Sequence, residues 1–418
     1  MPMTKLAMHA TRTGSPPDRI LPVAEAMRSA LAPLVEAVTG GIARPGRLTR
    51  ELGIDKSLAS RLVQALRQDE PLEFLHRSPA PVGLRILIRA AREQGVSAGL
   101  CDEAEATADA FQALIDSTPG GRGSIDGWIA AHSAAARERN EHRAKQAIFT
   151  AMSYLIGCRC ESLATTLVLR PSADGAAVDG MEIHQRLGLR RLRPGAPVAL
   201  FSLVLDPPPA SDAPGPWLET LDGQRSDEPA QYLLAGEGRA PAPGVEIVRR
   251  GSHTIFTLAE SELSLDQPVD LSSAYILRRG WQRRASALQE ESRSYLLNYP
   301  CRLLVRDVFI HEALWPGANP EINLRLPNPA GTDPQRYEGH LARINTLDMK
   351  LPIEQLGRGL ERCAVRDLPQ YDRQLAASFA RIGWDPEQFR GFRTQVVYPV
   401  PMITMTWWFP LPAANPAS

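Results

Sequence analysis

The chain has 418 residues, 44% of them apolar and 22% charged, which excludes intrinsic disorder for most of it and leaves room for more than one domain. Lys+Arg and Asp+Glu are equal at 47 each, so the protein as a whole is neither a basic arm nor an acidic tail. Five cysteines (Cys101, Cys158, Cys160, Cys301, Cys363) are too few and odd in number for a disulfide framework and point to a reducing compartment.

The beginning, Met1–Ser15, lacks the apolar core of a signal peptide. Residues 1–19 are expected to be a flexible N-terminus. The charge is distributed unevenly: residues 1–95 hold 14 Lys/Arg against 9 Asp/Glu, so a basic head precedes an acidic remainder. Such a head favours an anionic partner.

From Leu21 to Val38, Val23, Met27, Leu31, Leu34, Val35 and Val38 follow a helical period. Pro22 suits a first turn, and Pro33 is expected to kink or split the helix. Next comes Pro45-Gly-Arg-Leu-Thr-Arg-Glu-Leu-Gly53-Ile-Asp-Lys-Ser-Leu-Ala-Ser-Arg-Leu-Val-Gln-Ala-Leu66. Leu48 and Leu52 lie four apart on one helical face. Gly53 follows where a helix ends in a left-handed residue. Ile54 plugs the turn, and Asp55 sits where a second helix wants an N-cap oxygen. Ala59, Leu62, Val63 and Leu66 form that helix's buried stripe, with Thr49 and Ala59 small enough for the helices to cross. This is the pattern of a helix-turn-helix.

The opposite face of the second helix carries Lys56, Ser57, Ser60, Arg61 and Gln64, side chains able to donate to base edges and phosphates. Arg44, Arg47, Arg50 and Arg67 flank them as candidate phosphate contacts, and only Glu51 and Asp55 oppose these cations between Arg44 and Arg67. The stretch Gly53–Leu66, with its Gly-apolar-x-Lys-Ser start and Arg-Leu-apolar-Gln-x-Leu finish, resembles the recognition helix of bacterial winged-helix regulators, most closely the IclR type. The likeness covers about residues 20–80. It implies that the Lys56–Ser60 end enters the major groove of duplex DNA. A wing needs two strands; Leu72–His76 supplies one, and Pro79 and Pro81 leave little for another. The rest of the chain does not match that family's effector domain.

Leu84–Glu93 reads as a helix whose Arg85, Arg89 and Arg92 either follow the DNA backbone or face solvent. Residues 98–157 read as long helices broken at Ser117–Ser124, with Trp128, Ala131, Ala135, Ile148, Met152 and Leu155 as an apolar stripe. A helical linker over 96–157 is either a place for dimerisation, because groove reading commonly uses two half-sites, or an ordinary core helix of the body.

From Leu163 the period changes to that of strands: Thr165–Leu169, Val198–Leu205, Val245–Val248, His253–Leu258 and Arg302–Ile310. Pro207–Gly244 reads as a long surface loop. Helices are expected at Trp281–Leu297, Ile353–Cys363 and Leu368–Ile382, and an aromatic strand or pair of strands at Phe392–Phe409. Ser153-Tyr-Leu-Ile156 before Cys158 echoes Ser294-Tyr-Leu-Leu297 before Cys301, a faint hint of duplication. The uncharged run Thr394–Pro412 is too rich in proline to span a membrane as a helix.

Catalytic constellations are sparse. Cys158-x-Cys160 is half a zinc site with no partner pair, and Glu182 with His184 is an isolated couple. Asp307, His311 and Glu312 near one strand end form a candidate acid–base group. Trp281, Trp315, Trp384, Trp407 and Trp408 are pocket candidates that core packing explains better. No phosphate loop, nucleophile elbow or dinucleotide fingerprint is present.

The resulting expectation is a multidomain protein: an all-α (winged-)helix-turn-helix head over 20–95, a helical linker over 96–157 and an α+β body over 158–418. It reads as a cytoplasmic bacterial transcriptional regulator, a homodimer on duplex DNA, whose body binds a small-molecule effector or a protein partner. No catalytic residue, metal or cofactor is expected. The competing reading is an enzyme or assembly protein with an adaptor helix-turn-helix.

Overall fold

A computed structural model describes residues 16–41, 43–204, 216–234, 244–250, 253–259, 268–282, 290–317, 319–326 and 346–410. The chain divides into two compact units, Met1–Ala144 and Lys145–Ser418. It is an α+β protein in which the helices gather in the first unit and a large mixed sheet builds the second. Of the N-terminal segment expected to be flexible, residues 1–15 lie outside the described part, and Pro16 begins the first helix.

The N-terminal unit is helical throughout its described residues. Helix α1 (Pro16–Thr39) is not split at Pro33 but runs on through it. Leu31, Leu34 and Val35 are buried on both sides of that proline, so packing outweighs one lost backbone hydrogen bond. Then follow α2 (Pro45–Leu52), α3 (Lys56–Leu66), α4 (Pro71–Arg77), α5 (Pro81–Glu93), α6 (Ala98–Asp116) and α7 (Gly121–His132). Helix α8 (Ala134–Ile156) passes from the first unit into the second.

The expected strand Leu72–His76 is instead α4. Pro71 presets its first turn, and Glu73, Phe74, Leu75 and His76 are all buried, which the alternation of a half-exposed strand cannot produce. The 96–157 stretch is likewise not set apart. Cys101, Ala104, Phe111, Ile125, Ile129 and Ala136 share one core with α1–α5. Two ion-pair groups tie this core together. Glu73 accepts from Ser133 and Arg139, and Asp126 lies 3.3 Å from His76 Nδ1 and 3.0 Å from Arg122 Nε.

In the second unit the large sheet centres on β1 (Cys158–Pro171) and β10 (Cys301–His311), which pair in parallel. β1 turns back into β2 (Ala177–Arg191), which pairs with β8 (Val269–Gln282). β8 carries the short β4 (Trp217–Glu219) and β5 (Leu233–Leu234). On the other side β10 pairs with β13 (Phe389–Val397), and β13 with β12 (Glu354–Arg358). Two three-stranded sheets complete the unit: β3 (Ala199–Val204) with β7 (His253–Leu258) and β6 (Val245–Arg250), and β11 (Glu321–Arg325) with β14 (Thr404–Pro410) and β9 (Glu290–Leu296).

Strand alternation sorts the large sheet's side chains into two cores. Ala164, Val168, Ile183, Val305 and Phe309 pack with Leu375 and Phe379 of α9 (Tyr371–Ile382). Leu163, Leu167, Tyr275, Leu304 and Val308 pack on the opposite face with Phe201, Phe256 and Trp407 of the smaller sheets.

Two expected helices are strands. Trp281 ends β8, and 290–296 is β9 hydrogen-bonded along β14, with 283–289 outside the described residues. Residues 354–358 form the edge strand β12, bulged at Gly357, whose φ of +83° an L side chain rarely adopts. The Ser-Tyr-Leu echo thus falls on a helix end once and on a strand once. Within Pro207–Gly244, the described residues hold β4, β5 and one 3₁₀ turn, and the remainder lies outside them.

Candidate nucleic-acid interface

The turn between α2 and α3 is built as its residues require. Gly53 adopts φ +64° and ψ +18°, and its N–H donates to Thr49 O at 2.9 Å. A Cβ at Gly53 would meet nothing within 4 Å, so only the backbone conformation demands glycine. Gly53→Ala is therefore expected to destabilise the N-terminal unit by roughly 1 kcal/mol, and Gly53→Asn by less. Denaturant midpoints of the two variants check this, and equal stability of wild type and Gly53→Ala would refute it.

Asp55 caps α3. Its carboxylate accepts from Ser57 N at 2.7 Å, from Leu58 N at 3.3 Å and from the Ser57 hydroxyl. The Ser57 hydroxyl, followed by the backbone donors, holds the Asp55 carboxyl below its ordinary range. A depressed carboxylate contributes stability that is present above the unfolded pKa and lost as pH falls through the folded one. Hydrogen exchange at Ser57 and Leu58 N–H is expected to lose protection only under distinctly acid conditions, and Asp55→Asn is expected to remove that pH dependence.

Leu48, Leu52, Ile54, Ala59, Leu62 and Val63 are all buried, which orients the remaining face of α3 outward. Lys56, Ser57, Arg61 and Gln64 are exposed, and Ser60 is half-buried. Arg44, Arg47, Arg50 and Arg67 are at least half-exposed around them. None of these six cations pairs with a carboxylate among the described residues. Gln64 Nε2 reaches Ser60 Oγ at 3.4 Å, so the two side chains stand side by side. Ser57, by contrast, spends its hydroxyl hydrogen on the Asp55 cap, which makes it the least available of the five groove candidates.

Arginines beyond the motif strengthen this field. Burial, and then the neighbouring charges of Arg143 and Arg61, push the Arg122 guanidinium below its ordinary range despite Asp126. Arg122 Nη2 donates to Leu75 O and His76 O at the end of α4. Arg85 and Arg92 are paired instead, with Asp109 at 2.7 Å and with Asp102 and Glu105 at 2.8 and 2.9 Å. They belong to the packing of α5 against α6.

Other constellations do not assemble. Asp307 is buried with Arg393 and Tyr371, while His311 contacts Gln388 and Glu312 pairs with Arg358. All five cysteines are buried as free thiols, and burial pushes Cys158 and Cys160 up to about 11 and about 12, where they are inert. No group of three His, Cys, Asp or Glu side chains stands at metal-binding spacing among the described residues. Trp407 is fully buried, Trp315 stacks on Phe409, and Arg293 lies between Trp281 and Trp315 at 4.8 and 5.1 Å from their rings. A cleft lined by Leu297, Leu304, Leu324, Val396, Ile403 and Met405 has Tyr295 as its single polar side chain.

No protein-family model and no curated protein matches the chain. Among solved structures, one from Parabacteroides distasonis described as a "putative protease" aligns over 61% of this chain and 41% of that one, at 7% identity and a TM-score of 0.26. A likeness of that size assigns neither fold nor activity. No helix among the described residues is long and apolar enough to cross a membrane.

Proposed function

We propose that the protein is a bacterial transcriptional regulator that reads duplex DNA through α2, the Gly53 turn and α3, used as a helix-turn-helix. One observation carries this reading. The exposed face of α3 presents Lys56, Arg61 and Gln64 together, its cations free of described carboxylates, while its other face is buried. Arg85 and Arg92 of α5, by contrast, pair with Asp109, Asp102 and Glu105. A row that does not is available to phosphates, and an amide beside it can hydrogen-bond a base edge.

In this proposal Lys56, Ser60, Arg61 and Gln64 enter the major groove, with Ser57 restricted to a secondary role by its cap. Arg44, Arg47, Arg50 and Arg67 hold the flanking phosphates. The helix α4 following α3 supports a reader without a first wing strand at 72–76. A homodimer with two half-sites, cytoplasmic location and an effector or partner site on the α+β unit complete the proposal.

The test is titration of the full chain with random-sequence duplex at several salt concentrations. Binding through several phosphates has a steep salt slope. Absence of binding at low salt would overturn the proposal and favour an adaptor role for the helices.

A further inference from the structure

We infer that the second unit holds a binding site for a small monoanionic oxyanion, a carboxylate or monobasic phosphate, at the buried row Arg306, Thr165 and His184. The inference goes beyond the DNA reading and stands without it. Parallel pairing sets Arg306 of β10 opposite Thr165 of β1, and antiparallel pairing sets Thr165 opposite His184 of β2. The three therefore form a lateral row on one face of the large sheet. They are buried to 1%, 0% and 1% exposure.

Every one of them has polar atoms without a hydrogen-bond partner: Nε and Nη1 of Arg306, Oγ1 of Thr165, and both ring nitrogens of His184. Buried polar groups are mostly satisfied, and here three neighbours in one row each leave atoms unsatisfied. They also converge. Glu182 Oε2 lies 3.2 Å from His184 Nε2 and 3.9 Å from Arg306 Nη1, within ion-pair distance of each.

The charges on this face do not balance. Arg186, two residues beyond His184, is a second buried guanidinium, and it donates to the Tyr299 hydroxyl, the Leu200 carbonyl and, at 3.4 Å, the Ser273 hydroxyl. No carboxylate is among those partners. Burial first, and then the Arg186 and Arg306 charges, push His184 down against the pull of Glu182. Among the described residues, Arg186 and Arg306 are thus two buried guanidiniums, of which Arg306 has the Glu182 carboxylate within ion-pair distance. The Tyr295 ring, 4.9 Å from the Arg306 guanidinium carbon, offsets a cation only in part. One further negative charge would balance the cluster, and unpaired buried charge is costly.

The donor set defines the ligand. Two guanidinium N–H groups, a hydroxyl and an imidazole N–H suit the several lone pairs of an oxyanion. Glu182 is the carboxylate a bound anion would meet, and its charge selects against multiply charged ligands.

Isothermal titration of the full chain with sodium acetate, and separately with inorganic phosphate at mildly acid pH, tests this, with chloride holding the ionic strength constant. Saturable binding is expected, roughly ten- to a hundredfold weaker in Arg306→Gln and in Thr165→Val. Binding of both probes would identify the general oxyanion chemistry, and binding of one would name its source. Arg306→Gln carries a folding risk, and Thr165→Val covers it. Removing an orphaned hydroxyl should leave the melting temperature of the ligand-free protein unchanged or higher. A lower melting temperature for Thr165→Val would mean that its hydroxyl is already bonded and would overturn the site. So would no saturable binding, or binding of equal strength in both variants and wild type.

Discussion

Replacing Lys56 and Arg61 together by alanine is expected to weaken binding to duplex DNA on the order of a hundredfold or more, because each side chain that grips a base or phosphate supplies about 1–3 kcal/mol. Both side chains are exposed and pair with no described carboxylate, so replacing them removes no internal support. The stability of the double variant should match that of wild type. If either residue neutralises a phosphate, the salt slope also becomes shallower by about one unit for each. Anisotropy titrations at three or more salt concentrations measure both quantities. Unchanged affinity and slope in a folded double variant would remove α3 as the reading element.

Arg393→Met is expected to destabilise the second unit by about 3–5 kcal/mol, the usual cost of leaving one member of a buried ion pair alone. Arg393 grips Asp307 at two points, Nε to Oδ1 at 2.8 Å and Nη2 to Oδ2 at 2.7 Å, with both side chains almost fully buried. Nη2 also donates to Cys363 O at 2.8 Å, and the Tyr371 hydroxyl donates to Asp307 Oδ2 at 2.6 Å. Thr166 Oγ1 lies 2.6 Å from the same hydroxyl. This network fastens the start of α9 and the chain around Cys363 to the centre of the sheet. Burial raises the Asp307 carboxyl above its ordinary value even with Arg393 beside it, a measure of how poorly that site tolerates a lone charge. A second replacement, Asp307→Leu in the Arg393→Met background, should recover part of the deficit. Urea unfolding followed by tryptophan fluorescence reads the effect, and a destabilisation below about 1 kcal/mol for Arg393→Met would contradict this account.

The glycine turn, the cap at Asp55 and the buried stripe Leu48, Leu52, Ala59, Leu62 were legible because short helices declare themselves through local chemistry. A left-handed residue needs glycine, a helix start needs a side-chain acceptor, and a buried face needs a period near 3.6. The strands Thr165–Leu169 and Arg302–Ile310 were legible for similar reasons. Residues 290–296 were not. Glu290-Glu-Ser-Arg-Ser-Tyr-Leu has a composition that helices accept, and what makes it β9 is the distant β14, which supplies its hydrogen bonds. Leu72–His76 failed in the opposite direction, because apolar residues in a short run carry no period and Pro71 was the better guide. Among candidate interface residues, exposure of Lys56, Arg61 and Gln64 followed from the stripe. The engagement of Ser57 with Asp55 followed from the cap itself, had the two been weighed together. The pairing of Arg306, Thr165 and His184 was beyond local reading, since it depends on the register of three strands, one of them far away in sequence.

The parallel pairing of β1 with β10 also sets a timetable. About 130 residues of chain separate the end of β1 from the start of β10. At ribosomal rates of about 5–20 residues per second, β1 and β2 wait on the order of ten seconds before their neighbour leaves the tunnel. During that interval one edge of the future sheet's central strand has no lateral partner, and its sequence Ala164-Thr-Thr-Leu-Val-Leu169 is uncharged and rich in β-branched residues. The helical first unit relies on contacts close in sequence and needs no such delay. Nascent chains halted between Pro171 and Cys301 are therefore where ribosome-associated chaperones should be most needed, and where overproduction should most readily drive the protein to aggregate.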